Sequence, residues 1–382
     1  MKVLAWPAFR KQAANPHAAL LSERLRALGV DIQDWTPGRA AVRQVDLWHL
    51  HHPDTVVYPR SLVHSALGTL VFAALLSLAR WRGIRILWTV HDLGSNDRLH
   101  PRLEAWFWRF FVGRIDAYVC LSDGGRQLAR ERFPELRRLP SFTTPHGHYG
   151  DAYPHQVSRA GARRVLDLPA DATVLLHFGL IRPYKNVPHL IRTFRELQDA
   201  TVILLIAGNP YDQTVEREVR ASAEGAPRVR LRLGWIKPDE VQIMFAACDL
   251  VVLPYRRILN SGVTMLALSF ERPILVPDKG AMREQQATFG PEWLQLYDGE
   301  LERRHLEEAC RWARTTPRRS PDLTGLDWDT LAVKTRAIYE ALVSGEGAEP
   351  GCGRARGGGL SNVDLRARLA RGAVEPRESD RE

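Results

Sequence analysis

Two short stretches in the second half of the chain combine cations, glycine and small polar residues in a way that suits an anion. In HFGLIRPYKNVPHLIRTF, residues 177–194, an apolar strand ends at Gly179 and a helix begins near Val187. The turn between them carries Arg182 and Lys185, and free amides at a helix start act together with positive side chains on a phosphate. Two solvated loop charges are the plainer alternative. The second stretch, ILNSGVTMLALSFERPIL, residues 258–275, follows Arg256 and Arg257 and opens on Asn260, Ser261 and Gly262. Gly262 lets a backbone approach a ligand closely and Ser261 has a hydroxyl to donate, although Ser or Asn is also the expected cap of any helix.

The first half shows three polar clusters where strands end. FRKQAANPH (9–17) brings Arg10, Lys11 and Asn15 to one edge. In HLHHPDTVV (49–57) a period of two puts His49 and His51 on the same side of a strand. Two ligands fall short of a metal site, which leaves a packed histidine pair or ligand binding by His51, His52 or Asp54. TVHDLGSNDR (89–98) sends His91 and Asp92 from a central strand into a glycine loop, where Asp92 also suits a turn. HGHYGDAYP (146–154) marks a seam between halves and offers His146 and His148. Asp327-Trp328-Asp329 resembles a metal-binding DxD, but capping of a final helix accounts for both acids; neither a metal nor a cofactor is expected.

These residues need strands and helices in alternation to hold them, and the sequence supplies both. Strand-like runs at 2–6, 45–50, 85–90 and 117–122 alternate with helical patterns at 17–28, 62–81, 101–112 and 123–133. The second half repeats this with strands at 173–179, 202–208, 230–235, 250–255 and 273–277, and helices at 187–197, 211–224, 238–248 and 262–270. Nearly continuous apolar strands between amphipathic helices predict α/β domains with parallel sheets covered on both faces. Two Rossmann-like, doubly wound domains follow, over residues 1–150 and 151–343, facing across a cleft at the carboxyl ends of their strands. The second domain is expected to close with a return helix at 327–343. Residues 344–382, rich in Gly, Arg and Glu, lack the composition for a core and are expected to form a disordered tail.

The 382 residues carry a net charge of +9, and residues 1–150 hold 20 Lys and Arg against 12 Asp and Glu. The basic excess therefore sits in the first half, the half expected to meet an anionic surface. Its longest apolar run, 62–79, is interrupted by His64, Ser65, Gly68 and Ser77 and reads as a buried crossover helix rather than a membrane span. PRLEAWFWRFFVGR (101–114) suits burial, or a face dipping into a membrane with arginines on anionic headgroups. The start, MKVLAWPAF, is strand-like and lacks the features of a signal peptide. Four cysteines without metal spacing fit reduced thiols in a cytoplasmic protein. No nucleic-acid reader motif accompanies the basic charge.

Taken in order, GLIRPYKNVPHLIRTFREL, AGNPYD, PDEVQIMFAACDLVVLPYRRILNSG and PILVPDKG resemble the donor domain of GT-B glycosyltransferases, and the likeness runs from about residue 1 to 343. It is nearest to bacterial enzymes of exopolysaccharide and glycolipid assembly. The resemblance implies a metal-independent hexosyltransferase moving a sugar from a nucleotide diphosphate sugar, GDP-mannose favoured, to a lipid-linked or oligosaccharide acceptor at the inner face of the plasma membrane. It implies diphosphate binding by Arg182, Lys185, Asn260, Ser261 and Gly262, with Gly208, Asn209, Trp235 and Ile236 bordering the nucleotide. His91 would lie near the transferred sugar, with His91, Asp92 or Asp54 as base and Asn15, His51 and His52 on the acceptor. The Glu-x7-Glu motif of large retaining families is missing, since Ile258 and Leu266 stand at the matching positions. A UDP-sugar enzyme and a non-catalytic nucleotide-sugar binder are the alternatives.

Overall fold

A computed structural model describes residues 1–10, 16–59, 61–94 and 99–345. The chain divides into two units, Met1–Pro145 with the chain from Trp328 onward, and His146–Asp327. In the first, β1 (Lys2–Trp6), α1 (His17–Ala27), β2 (Asp31–Asp34), α2 (Pro37–Val42), β3 (Leu47–Leu50), α3 (Leu62–Trp81), β4 (Arg85–Val90), α4 (Pro101–Val112), β5 (Ala117–Cys120), α5 (Asp123–Arg132) and β6 (Ser141–Thr143) build one sheet of order β2-β1-β3-β4-β5-β6. In the second, α6 (Arg159–Val165), β7 (Thr173–Phe178), α7 (Val187–Arg195), β8 (Val202–Gly208), α8 (Gln213–Ala223), β9 (Val229–Leu233), α9 (Pro238–Ala247), β10 (Leu250–Val252), α10 (Gly262–Ser269), β11 (Ile274–Pro277), α11 (Met282–Phe289), β12 (Leu294–Tyr297) and α12 (Arg303–Thr315) give the order β12-β11-β10-β7-β8-β9. Every strand pair is parallel.

The central strands β3, β5, β8 and β10 are buried at every residue, as a sheet covered on both faces requires. In each sheet the connections run outward in opposite directions from an adjacent pair, β1 and β3 in the first, β7 and β10 in the second. The carboxyl ends of those pairs flank the switch points where open α/β sheets bind ligands. The opposite, amino edges are closed by a repeated device. Asp46, Asp116 and Asp249 each precede a strand and accept the backbone N–H of Lys2, Ile86 and Val174 on the neighbouring strand, at 2.7, 2.8 and 2.8 Å. Asp116 also pairs with Arg80, and Asp249 with the buried Arg163 at 2.7 Å.

Several expectations need correction. The division between the units falls at Pro145/His146, where the stretch expected to mark the seam begins. The last helix, α13 (Trp328–Ser344), belongs to the first unit, not the second: it packs along α1, burying Leu331, Ala332, Ile338 and Tyr339. Its Tyr339 hydroxyl also meets His49 of β3 at 2.6 Å, a partner that periodicity alone does not name. Strands β2, β6 and β12 escape detection because each is an edge strand of three or four residues.

Helix α3 connects adjacent strands of one sheet, so it is a crossover, though it is long and apolar enough to cross a membrane. It is not wholly buried. Phe72, Ala73, Leu76 and Ala79 face the sheet, whereas Leu62, Val63, Leu67, Leu70 and Val71 are all at least half exposed. On α4, Phe107, Trp108 and Phe111 are buried, while Trp106 stacks on Phe110 at the surface and Arg114 covers the Phe110 ring. Cys120, Cys248 and Cys310 are buried thiols, pushed up to about 12, 12 and 11 by burial. Cys352 and the tail from residue 346 lie outside the described residues.

Candidate active-site clusters in the two units

In the second unit the chain leaves β7 through Gly179, with φ +106°, beside Gly208 at the end of β8, with φ +152°. A Cβ on Gly208 would overlap the Gly179 carbonyl, so glycine is what lets the two loops run together. Ile181 N–H then donates to the Asn209 carbonyl at 2.8 Å and Tyr211 N–H to the Ile181 carbonyl at 2.9 Å. Arg182 lies over the Tyr211 ring, 4.3 Å from its centroid. A single 3-10 turn, Pro183–Lys185, stops at Asn186 in the left-handed region, and α7 starts there. Lys185 is only 9% exposed; its ammonium lies 5.1 Å from the Tyr255 ring centroid and beside Gly179. The cation thus stands at the carboxyl end of β7, at the switch point.

The Asn260-Ser261-Gly262 turn arrives at the same edge from β10. Arg256 N–H donates to the Tyr184 carbonyl at 2.9 Å, tying this loop to the lysine turn. Ala281 N–H donates to the Leu259 carbonyl at 3.0 Å and holds the loop from its other side. Ser261 caps α10, its Oγ accepting the Thr264 N–H at 3.4 Å. Both polar atoms of the Asn260 amide are buried without a hydrogen-bond partner among the described residues. A Cβ on Gly262 would sit 3.4 Å from both His146 Nε2 and the Tyr149 hydroxyl, so these two line the helix start. Burial lowers His146 to about 4, leaving it neutral. Trp235 and Ile236 follow β9 on the same edge, with Gly234 N–H donating to the Gly208 carbonyl at 3.0 Å and Trp235 half exposed.

In the first unit β1, β3 and β4 end side by side. Asp34 accepts N–H groups from Ala8, Phe9 and Arg10 at 3.0, 3.2 and 3.1 Å and fixes the loop leaving β1. Asn15, expected on the acceptor, and Lys11 lie outside the described residues. His49 and His51 do share a side, with ring centroids 4.1 Å apart, but their roles separate. Both nitrogens of His49 are engaged, by the Tyr339 hydroxyl at 2.6 Å and Thr89 Oγ1 at 2.7 Å, and burial lowers it to about 3. It is a packing residue. His51 Nδ1 instead stands 3.1 Å from His91 Nε2, and the His52 ring stacks on His91 at 4.6 Å. Burial first, then His49, His17 and His52, hold His51 well below its ordinary range, so it too is neutral.

The structure therefore brings His51, His52 and His91 together and adds His17, whose ring meets His91 at 5.2 Å and Trp328 at 5.1 Å. His17 was missed from sequence. Its signal is that it opens α1 directly after the switch-point strand. Asp54 is buried and turned into its own 3-10 turn, where it accepts the Tyr58 hydroxyl at 2.6 Å. Asp92 follows His91 and is partly exposed. Glu104, also not anticipated, lies under the loop after β4: Trp108 Nε1 donates to it at 3.3 Å, and a Cβ on Gly94 would come within 2.9 Å of its Oε1.

Two doubly wound domains in one chain, each a six-stranded parallel sheet, are those of the GT-B fold. Residues 172–292 match the family profile described as Glycosyl transferases group 1, and residues 35–138 match Glycosyltransferase Family 4. Over 331 residues the chain is 31% identical to the GDP-mannose:glycolipid 4-beta-D-mannosyltransferase of Xanthomonas campestris pv. campestris, covering 86% of this chain and 89% of the relative. The chain belongs to this glycosyltransferase family. Its fold is shared with sucrose-phosphate synthase of Thermosynechococcus elongatus, at a TM-score of 0.70 and 16% identity over 90% of this chain and 100% of the other. The UDP-glucose complex of Anabaena HepE aligns at a TM-score of 0.59 and 14% identity, over 97% and 100% of the two chains.

Proposed function

We propose that the protein transfers a mannosyl group from GDP-mannose to a hydroxyl of a glycolipid, of the kind from which exopolysaccharides are assembled. The relatives named for that reaction span most of the chain. The observation that carries the donor half is the buried Lys185 at the switch point, tied through Tyr184 and Arg256 to a capped helix start with an unsatisfied Asn260 amide. Lys185 and Arg182 would neutralise the diphosphate, and Gly262 and the first amides of α10 would bind its oxygens. Gly208, Asn209, Trp235 and Ile236 are the proposed border of the nucleotide.

The mannosyl group of GDP-mannose is α-linked, so a β product means inversion at the anomeric carbon. The acceptor oxygen attacks C1 as the C1–O bond to the diphosphate breaks, the bonding pair leaving with the nucleotide. The hydroxyl proton passes to a base, for which we propose His91, oriented by His51 and stacked by His52. Asp92 stays the second candidate; Asp54, engaged by Tyr58, is the weaker third. The acceptor lipid would be met at an anionic, cytoplasmic membrane surface by the exposed apolar face of α3 and by Trp106, with Arg102 and Arg109 exposed alongside on α4. Purified protein titrated with GDP, UDP and their sugars tests the reading. GDP should bind selectively and GDP-mannose should support transfer with inversion; transfer from UDP-sugars alone would overturn it.

A further inference from the structure

We infer that His17, His51 and His91 form a binding site for a nitrogen-preferring transition-metal ion, with Zn²⁺ the best match. One ligand nitrogen from each lies within 4.8 Å of the others. His51 Nδ1 and His91 Nε2 are 3.1 Å apart, close to the roughly 3.3 Å that separates two nitrogens bound to a tetrahedral zinc at about 2.0–2.1 Å. The donor set contains no carboxylate. Imidazole alone suits Zn²⁺, Co²⁺, Ni²⁺ or Cu²⁺ and disfavours Mg²⁺, Mn²⁺ and Ca²⁺, which take oxygen ligands.

Defined elements hold the three rings. His17 opens α1, where Trp328 backs its ring. His51 follows β3, and its N–H donates to the Trp6 carbonyl at 2.8 Å. His91 follows β4 and is stacked by His52. His49 is excluded, because both its nitrogens are engaged by Tyr339 and Thr89. From sequence the histidine candidates were those at 49 and 51, and two ligands fall short of a site. The structure removes His49 and supplies His17 and His91 from chain positions far apart. Three histidines leave a fourth coordination position for water or a ligand hydroxyl.

Such an ion is not required for transfer. If His91 is the base, a metal at its Nε2 leaves the ring proton on Nδ1 and no lone pair to take the acceptor proton, so Zn²⁺ inhibits. That consequence rests on the proposed function, whereas binding itself does not. The full chain, made without a histidine tag and stripped with a chelator, is titrated with Co²⁺ and followed by its visible absorption. One equivalent should bind with bands of a four- or five-coordinate ion, Zn²⁺ should displace it, and Mg²⁺ should not. His17→Gln, His51→Gln and His91→Gln should each weaken binding by at least about 100-fold, and His64→Gln, at an exposed position of α3, should leave it unchanged. Thermal melting identifies which variants fold, and any two that do are sufficient. Absence of the bands in the parent, or their persistence in a folded variant of any of the three, overturns the site. Cobalt binding with transfer unaffected by Zn²⁺ supports the site and removes His91 as base.

Discussion

Asn260 allows a test in which stability and affinity move in opposite directions. Its amide is buried at both polar atoms without a hydrogen-bond partner among the described residues. An unsatisfied buried polar group costs about 1–3 kcal/mol. Asn260→Leu keeps the branched shape and heavy-atom count and removes that penalty, and the cap of α10 survives because the capping oxygen belongs to Ser261. For a unit of this size each kcal/mol shifts the melting temperature by about 2–4 °C, so even the lower figure predicts a visible rise.

The same substitution removes a hydrogen bond to the proposed diphosphate. A bond to a charged partner contributes about 1.5–3 kcal/mol, or roughly 10- to 150-fold in Kd. Scanning calorimetry of the unliganded protein and isothermal titration with GDP read the two effects separately. A variant that melts below the parent and binds GDP within about twofold of it would refute the assignment, because the amide would then have been a structural group all along.

Gly208→Ala places a Cβ against the Gly179 carbonyl at φ +152°, a backbone-on-backbone overlap that side-chain motion cannot relieve. Denaturant unfolding should show a loss of more than about 3 kcal/mol, and a loss under about 0.5 kcal/mol would contradict the packing described. In the second unit His146 and His177 are lowered to about 4 and 3, chiefly by burial. Their folded values lie below the unfolded 6.5, so their contribution is complete above pH 6.5 and is lost as pH falls toward 4. Each removes up to about 1.4 kcal/mol per pH unit, and equilibrium unfolding at pH 7, 6 and 5 should show it; a flat profile counts against it. Leu67→Glu with Leu70→Glu, on the exposed side of α3, should cut co-sedimentation with anionic vesicles by at least about tenfold while GDP affinity stays unchanged. Undiminished vesicle binding would move the proposed membrane face elsewhere.

The strands that lead to the candidate clusters were legible because they are central and mostly apolar. Leu47–Leu50, Thr173–Phe178 and Val202–Gly208 could hardly be surface segments. The position of the lysine turn was legible for a related reason, since Lys185 falls between a strand end and a helix start. The histidine cluster was legible only in part. Alternation correctly set His49 beside His51, but it could not show that Tyr339, 290 positions away, would take up His49. Nor could it show that α13 crosses back to the first sheet. That placement depends on which sheet face lacks a cover, a tertiary fact with no local periodicity. The aspartates at 46, 116 and 249 share a local pattern, an acid directly before a buried strand, which the sequence displays plainly once its partner is known.

Those aspartates explain why the proposed chemistry gathers where it does. At the amino edges, Asp46, Asp116 and Asp249 accept N–H groups of the neighbouring strands, and Arg80 and Arg163 balance two of them. The negative charge is therefore fixed and consumed there. At the carboxyl edges the helices begin, so their free amides and positive dipole ends point outward. The second unit adds Lys185, Arg182 and the capped start of α10 to that edge, where charge and backbone alike would hold the proposed diphosphate. The first unit places a cluster of imidazole rings at the equivalent edge instead, His51 among them buried and neutral, which suits the proposed proton acceptance or metal binding more than holding a phosphate. One topology, present twice, thus suits the two proposed tasks because the side chains at its two switch points differ in charge.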